Sequence, residues 1–159
     1  VIGSIARSDS VRLSPQGDKF LRAASAFVQR SDGKLWVPTR SQHKKIAPGG
    51  IDYSAGGHVA VGENYLDTIV RELYEEAQLT VTPAECTLIG RHTPGGDSSY
   101  YFDQLYLVRS DAPLILSDEH ADGNWYTLEE VLQLVVTGTR CKVSYLRDVT
   151  ELRQYLEKN

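Results

Sequence analysis

The chain has 159 residues, of which 41% are hydrophobic and 24% charged, with a formal net charge of −4. This is the profile of one soluble globular domain with room for a sizeable core. The small negative charge excludes a global basic field for nucleic acid, and no apolar run approaches the roughly 18 residues of a membrane span.

The elements are read in chain order. Val1 to Ala6 is short and β-branched, fit for an edge strand, and residues 8 to 19 read as loop. Phe20 to Gln29 is the first strand, Ser31-Asp32-Gly33-Lys34 a hairpin turn and Leu35 to Thr39 the returning strand. That strand sets Leu35 and Val37 on one face and Trp36 on the other, and Pro38 places part of it at an edge or bulge. Arg40 to Gly50 is a polar loop carrying Arg40, Lys44 and Lys45. Gly56-Gly57 then leads into a helix over about Asn64 to Ala77, whose apolar stripe is Leu66, Ile69, Val70, Leu73 and Ala77. Cys86 to Thr93 is a strand, and Pro94 to Ser98 a turn. Tyr100 to Arg109 alternates with both faces apolar, which predicts a central strand. Ser110 to Asn124 reads as a long acidic loop, and Trp125-Tyr126 as a short strand. Thr127 and Glu130 form a capping box for a helix that stops at Gly138. A last helix over Val143 to Glu157 is expected to bury Val143, Leu146, Val149 and Leu152. Strands around one long helix, followed by two more helices, imply an α/β (α+β) domain with a mixed sheet between helical layers, spanning 1–159.

Cys86 and Cys141 form no CxxC pair and read as reduced thiols of a cytosolic protein, so a cytoplasmic location is expected. His43, His58, His92 and His120 show no zinc-type spacing. The chain starts at Val1 and contains no Met, as expected of a piece trimmed from a longer protein.

The chemistry concentrates on the long helix. Glu72, Glu75 and Glu76 sit at i, i+3 and i+4 and share a face distinct from the apolar stripe. Their mutual repulsion costs roughly 0.2–0.5 kcal/mol per pair, which suggests a cation offsets it. All-oxygen ligation suits Mg²⁺ or Mn²⁺ rather than zinc. The ordinary alternative is a solvated acidic face.

The spacing from Gly57 to Leu79 resembles the signature of the Nudix hydrolase family, G-x5-E-x7-R-E-U-x-E-E-x-G-U. Gly57, Glu63, Arg71, Glu72, Leu73, Glu75, Glu76 and Leu79 match, whereas Gln78 stands where the family has Gly. That position lies just past the helix, where a left-handed backbone suits Gly. The resemblance implies a Nudix-type α/β/α sandwich with a mixed β-sheet and a metal-dependent pyrophosphohydrolase acting on a nucleoside diphosphate linked to another moiety. It implies Glu72, Glu75, Glu76 and the Gly56 carbonyl as ligands of Mg²⁺ (or Mn²⁺). Glu75 is also a candidate base, Arg71 holds a carboxylate in place, and Gly57 and Glu63 shape the signature. The expected partner is a small-molecule diphosphate, with no nucleic acid or membrane, on a monomer or homodimer.

The stretch from Arg40 through His58 also resembles isopentenyl-diphosphate isomerase, another enzyme of this fold, with its Arg-x-x-x-Lys-Lys-x-x-Pro-Gly loop. This likeness suggests that Arg40, Lys44 and Lys45 grip a diphosphate. Arg22 stands where the isomerase has a metal-binding His, and is taken here as a substrate-binding candidate. Gly56 replaces the isomerase's catalytic Cys, and Phe102-Asp103-Gln104 replaces its Glu-x-Glu pair, so an isomerase-like activity is the minor alternative. A non-catalytic diphosphate-binding module is the other. Three helix glutamates approach a cation from one side only, and a hard cation seeks six or more oxygens. Some Nudix hydrolases carry a further Glu six residues before a Trp, which here is Glu119, with Asp118, Asp122 and Asp103 as competitors.

Overall fold

The computed structural model describes residues 20–95 and 101–159. The edge strand expected at Val1–Ala6, the loop at 8–19 and the end of the turn at 94–98 lie outside them.

β1 (Leu21–Gln29) and β2 (Leu35–Arg40) form the expected hairpin, and β3 is Ala55–His58. Helix α1 follows as Tyr65–Ala77. A 3₁₀ turn at Pro83–Glu85 leads to β4 (Cys86–His92), then β5 (Tyr101–Arg109) and β6 (His120–Tyr126). Helices α2 (Leu128–Val136) and α3 (Tyr145–Leu156) close the chain. The sheet runs β4-β5-β1-β2-β6, with β3 pairing β1 beside β2. β5 is central, parallel to β1 from Leu21↔Tyr101 to Gln29↔Arg109 and antiparallel to β4. The sheet is therefore mixed, and β5 lies inside it between β4 and β1, as its two-sided apolar pattern implies.

The side chains divide as period-2 alternation requires. Ala24, Ala26, Val28, Trp36, Tyr106 and Val108 face α1, packing on Ile69, Leu73 and Ala77. Phe27, Leu35, Val37, Leu105 and Leu107 face α2 and α3, packing on Val131, Tyr145, Val149 and Leu152. Each buried aliphatic side chain stabilises by about 1.5–3 kcal/mol. Pro38 is accommodated because β2 meets β1 only at Gln29↔Leu35, and the β2–β6 register shifts between Thr39 and Arg40.

Two expectations are corrected. The acidic stretch does not run as loop to Asn124: from His120 it is strand β6, pairing β2 from Leu35↔Tyr126 to Arg40↔His120. Asp122, Gly123 and Asn124 have low strand propensity, and β2 supplies the pairing that overrides it. The buried face of α3 is Tyr145, Asp148, Val149 and Leu152, whereas Val143 and Leu146 are exposed. An aliphatic stripe was the wrong guide because Tyr145 buries its ring and satisfies its hydroxyl on the Asp52 carbonyl at 3.2 Å.

Candidate active site

The site starts at the entry to α1. The Asn64 side chain caps the helix, accepting from the N–H groups of Leu66 and Asp67, and the Asp67 carboxylate accepts from the Asn64 N–H. The helix ends at Gln78, which adopts φ 50° and ψ 27°, with its N–H on Tyr74 O and the Leu79 N–H on Leu73 O. The family's Gly position is thus a left-handed one here too, occupied by a residue that pays for it in strain.

Between these ends α1 lays its carboxylates beside β3. A Cβ on Gly57 would stand 1.9 Å from Glu72 Oε1, so any side chain here would push the Glu72 carboxylate out of its present place. The Gly56 N–H donates to Glu76 Oε2 at 2.9 Å. Arg71 binds three carboxylates: Nε to Glu63 Oε1 at 2.9 Å, Nη1 to Glu72 Oε1 at 2.8 Å and Nη1 to Glu75 Oε2 at 3.0 Å. Its hydrogen bonds hold the Glu63 carboxyl down at about 2. Burial acts the other way deeper in: it pushes Glu72 above the usual range against the pull of Arg71, and raises Glu76 to about 8. Glu75 is half exposed.

These side chains line a cleft of about 210 Å³ with Ser117, Asp118 and Glu119 on its far wall. The far wall is held by the Ser117 N–H on Glu76 O at 3.2 Å and the Ser41 N–H on Glu119 O at 2.9 Å. Of the acidic residues outside α1, Glu119 and Asp118 reach the cleft. Asp122 is on β6, and Asp103 lies on the α3 face of the sheet.

The cationic candidates separate. Lys44 pairs with Glu119 across the cleft edge. Lys45 is exposed on the same loop. Arg40 is buried, pairs with Asp52 and donates from Nε to Ile46 O at 2.8 Å, so it braces the loop from inside. Arg22 is on the α1 face, 3.4 Å from Glu63 O and 5.6 Å from the centre of the Tyr65 ring, away from the cleft and across the sheet from His58.

Sequence reasoning missed Lys142. Its Nζ is 2.9 Å from Asp52 Oδ1 and 5.3 Å from the centre of the Tyr53 ring, and its charge bears on both Glu76 and Tyr101. Burial alone would raise Asp52, but the Lys142 and Arg40 charges outweigh it and hold the carboxyl below its usual range. No motif marks Lys142, because it approaches from the segment before α3.

The donor set fits a hard divalent cation. Desolvated carboxylates at Glu72 and Glu76, with Glu75 and Glu119 at the rim, form an oxygen-rich cleft whose repulsion Arg71 only partly offsets. No helix among the described residues is long and apolar enough to cross a membrane.

The NUDIX domain family model matches residues 19–145. An uncharacterized Nudix hydrolase of Nostoc sp. is 34% identical over 148 residues, covering 92% of this chain and 86% of the relative. A Nudix hydrolase of Deinococcus radiodurans is 31% identical over 143 residues, covering 89% of this chain and 81% of the relative. The crystal structure of DR0079 from Deinococcus radiodurans superposes with a TM-score of 0.79 at 29% identity, over 94% of this chain and 91% of that one. With the signature helix, its cleft and the mixed sheet in place, the chain belongs to the Nudix family and is a hydrolase of phosphorus-containing acid anhydrides.

Proposed function

We propose that the protein is a divalent-metal-dependent pyrophosphohydrolase acting on a nucleoside diphosphate linked to another moiety. The observation that carries this reading is the cleft lined by Glu72, Glu75 and Glu76 on one side and Glu119 on the other, with Arg71 in its lining bonded to Glu72 and Glu75 and anchored on Glu63. Glu72, Glu75 and Glu76 would hold Mg²⁺ (or Mn²⁺), with the Gly56 carbonyl as a further oxygen. A bound Mg²⁺ neutralises phosphoryl charge and makes water a better nucleophile.

The chain's own residues do the rest. Arg71 fixes the carboxylates, so little reorganisation is left for the reaction itself. Water oxygen bonds to phosphorus, the bridging P–O bond breaks with its electron pair on the leaving phosphate, and the water proton passes to a carboxylate. Glu75 is the candidate base, being half exposed at the mouth of the cleft, and Glu119 is the second. Lys44 and Lys45 offer positive charge to the diphosphate from the loop, with Lys44 exchanging Glu119 for substrate. Arg40 acts by bracing that loop. Arg22 is a candidate only for a substrate portion that extends over the start of α1.

The test is a panel of nucleoside diphosphates and their derivatives with Mg²⁺, products identified by mass. Cleavage of a diphosphate bond that stops in EDTA is expected. Absence of any metal-dependent cleavage across the panel overturns the reading.

A further inference from the structure

A second group of ligand-bearing side chains lies on the opposite face of the sheet, away from the signature helix. His92 at the end of β4 faces Asp103 on β5 and Asp148 and Glu151 on α3. One ligand atom each from His92, Asp148 and Glu151 lie within 4.8 Å of one another. We propose that this junction of β4, β5 and α3 is a separate divalent-cation site for a borderline ion of the Zn²⁺ or Co²⁺ kind, with His92 Nδ1, Asp103 and Asp148 as ligands and Glu151 orienting the imidazole through Nε2.

Three features point to a ligand. Asp103 is 7% exposed, and its Oδ1 is buried without a hydrogen-bond partner. His92 Nδ1 is likewise buried without one, and stands 3.7 Å from Asp103 Oδ2 and 3.8 Å from Asp148 Oδ1. Unsatisfied buried polar atoms are costly, and two on side chains that face each other from neighbouring strands are rarely left so. Third, the other imidazole nitrogen is already engaged: Nε2 lies 2.6 Å from Glu151 Oε2. A carboxylate on the far nitrogen is the usual companion of a metal-binding His, because it sets the tautomer that leaves Nδ1 free to ligate.

The surrounding structure favours a cation. Gly90 gives Glu151 its place, since a Cβ there would lie 2.4 Å from Oε2. Asp148 is fully buried, held by the Tyr53 hydroxyl at 2.5 Å and Arg147 Nε at 2.7 Å. Asp103, Asp148 and Glu151 thus converge on one imidazole with the Arg147 guanidinium beside them, so the carboxylates outnumber the cations and negative charge is left to be offset. Ligand separations of 3.7 and 3.8 Å exceed by a few tenths of an ångström the ~3.4 Å that a tetrahedral ion with ~2.1 Å bonds sets. Asp103 stands outside the set of atoms that all lie within 4.8 Å of one another, so ion binding must also draw its carboxylate and that of Asp148 together, moving β5 and α3 toward the ion. The mixed nitrogen and oxygen donors favour Zn²⁺ or Co²⁺ over Mg²⁺, which separates this site chemically from the one on α1. Occupied, it would rivet the last helix to the sheet.

The experiment uses the full chain with Glu72→Gln and Glu76→Gln, which weaken the α1 cleft, and titrates Co²⁺ by equilibrium dialysis and visible absorption. About one equivalent should bind, with ligand-field bands showing a nitrogen- and oxygen-ligated ion of low coordination number. Adding Asp103→Asn or His92→Gln should weaken binding at least about tenfold and remove the bands, and Glu151→Gln should weaken it about 10–100-fold. As a second arm, Asp103→Asn in the otherwise unaltered chain should bind one equivalent of Co²⁺ fewer than the parent. The proposal is overturned if the α1 variant binds no Co²⁺, or if Asp103→Asn and His92→Gln bind it as tightly as their parents; His92 is then an imidazolium in a buried ion cluster.

Discussion

Glu76 carries the conflict between stability and function on a single side chain. It is nearly buried, so ionising it in the metal-free protein is costly, and its carboxyl rises from the ordinary 4.5 to about 8. A carboxyl raised by folding contributes stability that is complete below its unfolded value and is lost as pH rises through the folded one. In EDTA, Glu76→Gln should therefore melt higher than the parent above about pH 8, with the gap shrinking toward about pH 4.5. The same change should lower kcat by two or more orders of magnitude, about the loss seen when transition-state electrostatics are removed. Thermal melts with pH, alongside turnover, check both, and a lower melting point for Glu76→Gln at high pH contradicts the burial argument. Glu63 has the opposite sign. Arg71 holds it at about 2 against an ordinary 4.5, so its contribution is complete above 4.5 and disappears as pH falls through about 2. The melting gap between parent and Glu63→Gln should be open near neutrality and close on acidification across that window; a gap indifferent to pH sinks the ion-pair account.

At the scale of elements, the end of α1 departs from the family pattern and is open to repair. Gln78 sits at φ 50°, where Gly avoids a penalty of roughly 1 kcal/mol. Gln78→Gly should raise the melting point by about 2–4 °C, the shift ~1 kcal/mol gives in a domain of this size, and a fall would show that the Gln side chain holds something the backbone argument omits. The loop from Arg40 to Gly50 divides its labour. Arg40 is buried on Asp52, whereas Lys44 reaches Glu119 at the cleft. Lys44→Gln should raise KM at nearly constant melting point, and Glu119→Gln should lower kcat with the fold intact. A large melting change from Lys44→Gln with KM unaltered makes it a structural residue. Period and capping made most elements legible: the alternation of β5, the stripe of α1 and the Thr127–Glu130 box all lie where local chemistry puts them. β6 was not, because Asp122-Gly123-Asn124 is turn chemistry locally and becomes strand only by pairing β2. The face of α3 was misread for a related reason, since Tyr145 and Asp148 are buried through partners on other elements.

For the whole molecule, the site was legible to the extent that it is contiguous in sequence. The three α1 glutamates, Arg71, Gly57 and Glu63 are written within one stretch, and the spacing alone brings them together. Lys142, the bracing role of Arg40 and the His92–Asp103–Asp148 junction depend on which segments meet across the sheet, and no local pattern encodes that. The central claim is that the cleft between α1 and the Ser117–Glu119 turn hydrolyses a diphosphate bond with the help of a divalent cation. The most direct measurement is hydrolysis in ¹⁸O-labelled water with Mg²⁺, comparing parent and Glu76→Gln and locating the label in the products by mass. The account predicts one labelled phosphate per cleavage in the parent, none in EDTA, and a rate at least about a hundredfold lower in Glu76→Gln. Undiminished cleavage by Glu76→Gln, or cleavage by the parent that persists in EDTA, would contradict it.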